Sequence, residues 1–328
     1  MIHYILGTDE AGYGPNLGPL VMSCVVWEMA VTDSPDIQPV DDPLAELERR
    51  LAPIVTDTPS QLGKNGKILL IGDSKKLYQS GKLQVLIDSV LTVLNVCGEK
   101  LLCGHIPYKH ATVLFRKLVM DLYICGFPSD QFNFEGYSHA AELITKSLNL
   151  LGISLFDISA SWISPRNFNR LLEKTGNKST LLSETTLSLI KNAIQTLPDC
   201  GDVTILCDKH GGRNRYADLL YQFFPDCWIE ILTEGTLRSV YRLNALGRKI
   251  EFRFQAKADR HIPAALASMT AKLLREMAML EFNRFWQQYL PDLQPTAGYP
   301  VDALRFFGQI EETRKKLGIP KSDIWREK

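Results

Sequence analysis

Four carboxylates hold the chemistry that this sequence offers: Asp9 and Glu10 side by side, then Asp208, then Asp259. Each follows an apolar run that reads as a strand. Residues 2–6 lead to Asp9, residues 203–207 lead to Asp208, and residues 249–254 lead through Gln255-Ala256-Lys257-Ala258 to Asp259. In an open α/β sheet, ligands gather at such strand ends. Carboxylates within about 5 Å repel by about 3 kcal/mol per pair at an effective dielectric of about 20, so a group of them is tolerable only with cations between. Two Mg²⁺ or Mn²⁺ ions would supply the neutralising charge and a phosphoryl-transfer mechanism together. Acids scattered over the surface fit the same pattern.

Successive side chains on a strand point to opposite faces. Asp9 and Glu10 therefore converge only if the strand breaks between or just after them. Gly12, Gly14 and Pro15 supply that break and let the backbone approach a ligand. Two acids beside exposed N–H groups suit a hard cation next to a phosphate; a strand followed by a solvated acidic turn fits equally well. Tyr13, between the two glycines, offers a ring for stacking and one hydroxyl, which suits a sugar or base, or it packs against the protein. Lys75 and Lys76 precede helical spacing over 82–96. Near that helix's N-terminus they would attract phosphate; as a solvated pair they would do nothing specific. His105, His110 and His139 lack metal-ligand spacing.

The elements that must position these residues follow in order. A second strand is expected over 19–27, a loop over 32–42, a helix over 44–51, a loop over 56–66 and a short strand over 68–71. Residues 28–66 read as an inserted excursion. Between 97 and 200 the pattern predicts strands at 101–106 and 153–158 and helices at 112–123, 138–151 and 183–197, with Ser138 and Ser183 as N-caps. A short helix over 216–224, a hairpin of 239–243 with 249–254, a long helix opened by Pro263 and running to about Tyr289, and a last helix over 301–317 complete the chain. The small residues Ala264, Ala265, Ala267, Ser268 and Ala271 allow that long helix to pack closely on a sheet.

At 328 residues the chain buries a sizeable core, and its 37 basic and 37 acidic residues balance, so net charge points to no polyanion. Charge is unevenly spread, however. Acids dominate 28–57, while Arg248, Lys249, Arg253, Lys257 and Arg260 lie close together, as in a polyanion binder or in two ordinary solvated surfaces. The seven cysteines form no C-x-x-C pair, which argues against a zinc site and for reduced thiols. No basic start and apolar h-region precede the first strand, and no apolar run is long enough to span a bilayer. A cytoplasmic protein with no membrane partner is expected.

The stretch Gly7-Thr8-Asp9-Glu10-Ala11-Gly12-Tyr13-Gly14-Pro15 resembles the opening motif of the type 2 ribonucleases H, ribonuclease HII and HIII. Gly72-Asp73-Ser74-Lys75-Lys76-Leu77 resembles their second motif. Asp208, Lys257-Ala258-Asp259, Ala267-Ser268-Met269-Thr270-Ala271-Lys272 and Gly298-Tyr299-Pro300 match later segments in the same order. The resemblance departs where the family has Gly-Arg-Gly or Gly-Lys-Gly and this chain has Gly12-Tyr13-Gly14, and where Lys209 follows Asp208 in place of glycine.

The resemblance implies a single α/β, ribonuclease-H-like domain over 1–328. Its central mixed sheet is flanked by helices, with insertions at 28–66 and 97–200. It implies a metal-dependent endonuclease acting on the RNA strand of RNA/DNA hybrids, with Asp9, Glu10, Asp208 and Asp259 holding two ions. Gly12, Tyr13, Gly14, Lys75, Lys76 and Tyr299 would contact substrate, and 97–200 would extend the binding face or recruit a protein partner. The alternative is a non-catalytic nucleic-acid-binding or partner-binding protein on the same fold.

Overall fold

The computed structural model describes residues 1–31, 41–79, 83–97 and 134–327. In chain order these form β1 (Ile2–Ala11), β2 (Leu20–Ala30), α1 (Pro43–Leu51), β3 (Val55–Thr56), β4 (Leu69–Leu70), α2 (Ser74–Gln79), α3 (Leu83–Val96) and α4 (Phe134–Leu150). There follow β5 (Ile153–Ile163), α5 (Pro165–Thr175), α6 (Lys178–Gln195), β6 (Asp202–Asp208), α7 (Ala217–Phe223), β7 (Glu230–Glu234), β8 (Arg238–Ala245) and β9 (Arg248–Gln255). A 3₁₀ turn (Ala258–Arg260), α8 (Ile262–Tyr289), α9 (Pro300–Lys316) and a 3₁₀ turn (Lys321–Asp323) close the described chain.

Seven strands form one mixed sheet in the order β5-β2-β1-β6-β9-β8-β7. β1 and β6, and β6 and β9, run parallel; the other neighbours are antiparallel. The expected α/β architecture, a mixed central sheet flanked by helices, is what the chain adopts. Alternation along β1 sorts its residues. Ile5 and Ala11 join the core under α1, α2, α3, α4 and α8, while Tyr4 and Leu6 join the core under α5, α6 and α7. A smaller cluster of Leu17, Trp286, Phe306, Ile310 and Ile324 fastens α9 to the far part of α8.

α8 is buried along most of its length and without a break from Pro263 to Ala271, where its residues are apolar or small on every side. It lies directly on β1. A Cβ on Gly7 would stand 2.1 Å from the Pro263 carbonyl carbon, so only glycine permits this approach. Glu48 of α1 secures the start of α8 by accepting from the Ile262 amide at 3.0 Å and pairing with His261 at 3.1 Å. Asp42, which caps α1, also pairs with Arg253 of β9 at 2.7 Å.

Several expectations need correcting. β1 does not stop near Leu6. It pairs with β2 as far as Ala11, because the hairpin partner continues to Val21, so both leading acids lie within the strand. The strand expected over 68–71 shrinks to β4 and pairs with β3 in a separate two-stranded sheet. Lys75 and Lys76 stand on α2, not at the start of the next helix, because Asp73 Oδ1 accepts from the Lys75 and Lys76 amides at 2.9 and 3.2 Å and starts a turn of its own. Ser138 and Ser183 lie inside helices. Asn177 caps α6, accepting from the Thr180 amide at 2.8 Å, and Ser183 instead donates to the Ser179 carbonyl.

β5 pairs with β2 at the sheet edge, so this part of 97–200 belongs to the central sheet and not to a helical insertion. α5 and β7 had no counterpart in the sequence reading. The loop expected over 32–42, except for its last two residues, lies outside the described residues. So do the strand and helix expected over 101–106 and 112–123, with His105 and His110.

The close approach of α8 and β1 gives a direct test. Gly7→Val is expected to destabilise by about 3 kcal/mol or more, because backbone must move to admit the side chain. Gly308→Ala, in a helix with nothing within 4 Å of the new Cβ, is expected to stabilise by about 0.5–1 kcal/mol. Urea unfolding of the two variants measures both; a Gly7→Val midpoint equal to the parent's would refute the packing.

Candidate active site

The register of β1 on β6 sets Gly7 beside Leu206 and Thr8 beside Cys207, so the next step along the ladder sets Asp9 beside Asp208. Ile5 and Ala11 on β1, and Leu206 on β6, face α8. Asp9 and Asp208 share that parity and therefore that face. The Ser268 hydroxyl of α8 favours the charged form of Asp9, and it also meets the Ser74 hydroxyl of α2 at 3.0 Å. Asp208 Oδ1 accepts from the Ala258 amide at 3.2 Å, which ties the end of β6 to the 3₁₀ turn bearing Asp259. That acid is thus on a turn beyond β9 and not on a strand end. Lys257, with φ 61° and ψ 43°, takes the left-handed conformation that reverses the chain there.

These carboxylates feel one another. Burial pushes Asp9 up from 3.8 to about 7; Ser268 and the Glu10 backbone oppose the rise, and Asp208 and Asp259 add to it. Glu10 is pushed well above its ordinary value by burial, then by Asp9 and Asp208, with Lys75 pulling the other way. Burial also raises Asp208, against hydrogen bonds from the Ala258 and Lys209 backbone. The common cause is that charge is being held where water is scarce. Oxygen donors of this kind suit a hard divalent cation, whose charge would replace the protons that these shifts favour. Among the described residues, no group of three or more His, Cys, Asp or Glu is arranged to hold a metal ion.

The glycine loop follows at once. Gly12 has φ 91°, and a Cβ there would stand 2.5 Å from Arg275 Nε and 2.6 Å from the Pro19 carbonyl. Gly14 lies against the ring of Tyr299, which is 55% exposed. Tyr13 does not project freely. Its ring packs against the core under α5, α6 and α7, and its hydroxyl lies beside Gly211. Burial, then Glu10, raises its pKa. Of the two roles open to it, packing is the one its surroundings favour. Past Asp208, Lys209 is committed to structure, donating to Asn214 Oδ1 at 2.9 Å and to the Gly235 carbonyl at 2.5 Å. His210 is buried against the Ser183 hydroxyl and pushed down to about 3, hence neutral.

A cleft of about 930 Å³ opens onto Asp259. Lys75, Lys76, Lys257 and Arg260 line it together with Asp73 and Glu48. Asp9, Glu10 and Asp208 lie outside its lining. Ser74, Ser268 and Arg275 were missed as site residues by sequence reasoning. The two serines sit inside recognised motifs without a chemistry of their own, and Arg275 gives no local signal.

No family model matches the chain, and no curated protein does. Solved structures similar to it include RNase HII from Archaeoglobus fulgidus in its complex with PCNA, 15% identical over 99% of this chain and 94% of that one, with a TM-score of 0.40. The ribonuclease H2 from Pyrococcus horikoshii OT3 is 17% identical over 98% and 92%, with a TM-score of 0.40. Bst-RNase HIII in complex with Mn²⁺ is 12% identical over 99% and 66%, with a TM-score of 0.38. At these values the likeness assigns no residue role and no activity to this chain.

The raised Asp9 makes stability depend on pH. A carboxyl whose folded pKa is about 7 against an ordinary 3.8 binds more protons in the folded state between those values. Its stabilising contribution is fully present below about pH 4 and is lost as pH rises through about 7. In chelator, Asp9→Asn is expected to be more stable than the parent at pH 8 by on the order of 1–2 kcal/mol, with the difference shrinking towards pH 4. Calorimetry across this range decides; parallel curves for parent and variant would clear Asp9 of the effect.

Proposed function

We propose that this chain is a metal-dependent endonuclease that hydrolyses the RNA strand of RNA/DNA hybrids, leaving 5′-phosphate and 3′-hydroxyl ends. The observation that carries the reading is the mutual influence of buried acids beside a glycine loop: burial raises Asp9, Glu10 and Asp208, Asp208 adds to the rise at Asp9 and Glu10, and Asp259, which lines a lysine-bearing cleft, adds to the rise at Asp9 and Asp208. Their oxygens would hold two Mg²⁺ or Mn²⁺ ions. When bound, such ions activate a water for in-line attack on a phosphodiester and stabilise the departing 3′ oxygen.

The remaining residues have binding roles in this reading. Lys75 and Lys76 are exposed, with no ion-pair partner among the described residues, and would contact backbone phosphates without reading sequence. Gly12 and Gly14 would bring backbone groups to the ribose, where the 2′-hydroxyl separates RNA from DNA. Tyr299 would pack on a sugar or base, being exposed beside Gly14. Tyr13 would support the loop from within. No helix among the described residues is long and apolar enough to cross a membrane. A protein partner would bind through 97–200, whose described residues include the sheet edge at β5.

Purified protein given Mg²⁺ or Mn²⁺ and an end-labelled RNA/DNA hybrid is expected to cut the RNA strand. Asp9→Asn and Asp208→Asn are each expected to reduce cleavage by about 10³-fold or more, with the fold retained. Wild-type rates in both variants would show that the acids are misassigned. Binding of the hybrid by the parent without cleavage in either metal would point to the non-catalytic alternative.

A further inference from the structure

Behind the glycine loop lies a second segment, from the opposite end of the sequence. The Arg326 amide donates to the Asn16 carbonyl at 2.8 Å, Asn16 Nδ2 donates to the Arg326 carbonyl at 3.1 Å, and Leu17 bridges to Trp325. Asn169 of α5 clasps the same segment, donating to the Trp325 carbonyl and accepting from the Glu327 amide, both at 2.8 Å. From this fixed backbone the Arg326 side chain runs inward until it is 0% exposed, with its guanidinium 4.8 Å from the Phe168 ring centre. Its Nη2 donates to the Gly12 carbonyl at 2.6 Å and to the Pro15 carbonyl.

No carboxylate accompanies this cation among the described residues, and its Nε and Nη1 find no acceptor there. Burial and the nearby Arg275 push it down to about 9, which leaves it protonated at neutral pH. A buried unpaired guanidinium is costly, and an apolar side chain would fill the space without that penalty. What the arginine does, and an apolar side chain would not, is hold two loop carbonyls inward. A peptide unit is planar and trans, so fixing the Gly12 carbonyl fixes the Tyr13 N–H on the opposite side of the same plane. That N–H has no acceptor among the described residues.

We propose that Arg326 is a positioning residue: by holding the Gly12 and Pro15 carbonyls it orients the Tyr13 amide to receive a ribose or phosphate oxygen of the bound strand. The substrate half of this inference rests on the function proposed above; the loop-holding half does not. The test uses the full chain carrying Arg326→Met, which keeps length and loses both hydrogen bonds, and Arg326→Lys, which keeps the charge and one donor.

The Asn16 and Leu17 amides, which donate to the Gly298 carbonyl, report on the loop. In Arg326→Met their hydrogen exchange is expected to accelerate about tenfold while β6 and α8 amides keep the parent rates. KM for the hybrid is expected to rise about tenfold with kcat within about threefold, and Arg326→Lys to recover most of the loss. Unchanged loop exchange, or a lower Tm with unchanged KM, overturns the proposal and leaves Arg326 a packing residue. Should Arg326→Met not fold, Asn169→Ala, which frees the segment from outside the loop, is read by the same exchange. Should the parent cut no hybrid, accelerated loop exchange upholds the latch while the functional reading falls, and unchanged exchange rejects both.

Discussion

The structure depends on the contact between α8 and β1. With no side chain at Gly7, the Pro263 backbone descends onto the strand, and the helix then runs on beside β1 and the loop that follows it. Ser268 reaches Asp9, Arg275 reaches Gly12, and Met279 reaches Gly18. A bulkier residue at Gly7 would lift the helix and withdraw all of these at once. The same helix carries Met269 to the Gly72 amide and Ser268 to Ser74, so the turn that bears Lys75 and Lys76 is held against Asp9 through one rigid element. Placing a site on such elements gives tighter geometry than loops alone can.

Electrostatics divides the neighbourhood of the glycine loop into two regions. On one side the carboxylates of β1 and β6 lie where water is scarce: burial raises the proton affinity of each, and Asp208 adds to the rise at Asp9 and Glu10. On the other side Arg275 and Arg326 are buried with carbonyls as their main partners, Arg275 donating to Ala297 and Arg326 to Gly12 and Pro15. Neither group is neutralised locally in full. Buried, imperfectly paired charge is weak evidence for stability and is common where a ligand supplies the missing charge or hydrogen bond. The loop between them carries the backbone donors, so its conformation is fixed by charge on one face and by the close fit of Gly12 on the other.

The exposed cations tell the complementary story. Lys75, Lys76, Lys257 and Arg260 line a cleft that reaches Asp259, whereas Lys209, which looked equally available in the sequence, is consumed by the Arg213 carbonyl of the loop that follows it and the Gly235 carbonyl of the turn between β7 and β8. A lysine with several fixed oxygen partners is a structural tie, and one without a partner is available to a polyanion. The distinction lies in surroundings and not in residue type.

Much of this protein is legible in its sequence because the signals are local. Pro263 at the head of an alanine-rich run defines α8 almost to the residue, since proline fits a first helical turn and small residues permit burial on all sides. The acids after apolar runs, and Gly12 at a position that needs positive φ, are visible for the same reason. Other features depend on partners far along the chain. β1 continues through Asp9 and Glu10 because β2 pairs with it to Ala11. β4 leaves the central sheet because Val55–Thr56 offers it a neighbour, and β5 enters that sheet because the edge of β2 was open. Tyr13 between two glycines reads as exposed or packed with equal ease until Gly211 and the α6-side core are beside it. Arg326 carries no signal at all in its own stretch. The sequence by itself determined which residue types stand where and which segments coil or extend. The tertiary structure alone decided which acids meet and which cations are free, because long-range pairing and burial are set by residues hundreds of positions apart.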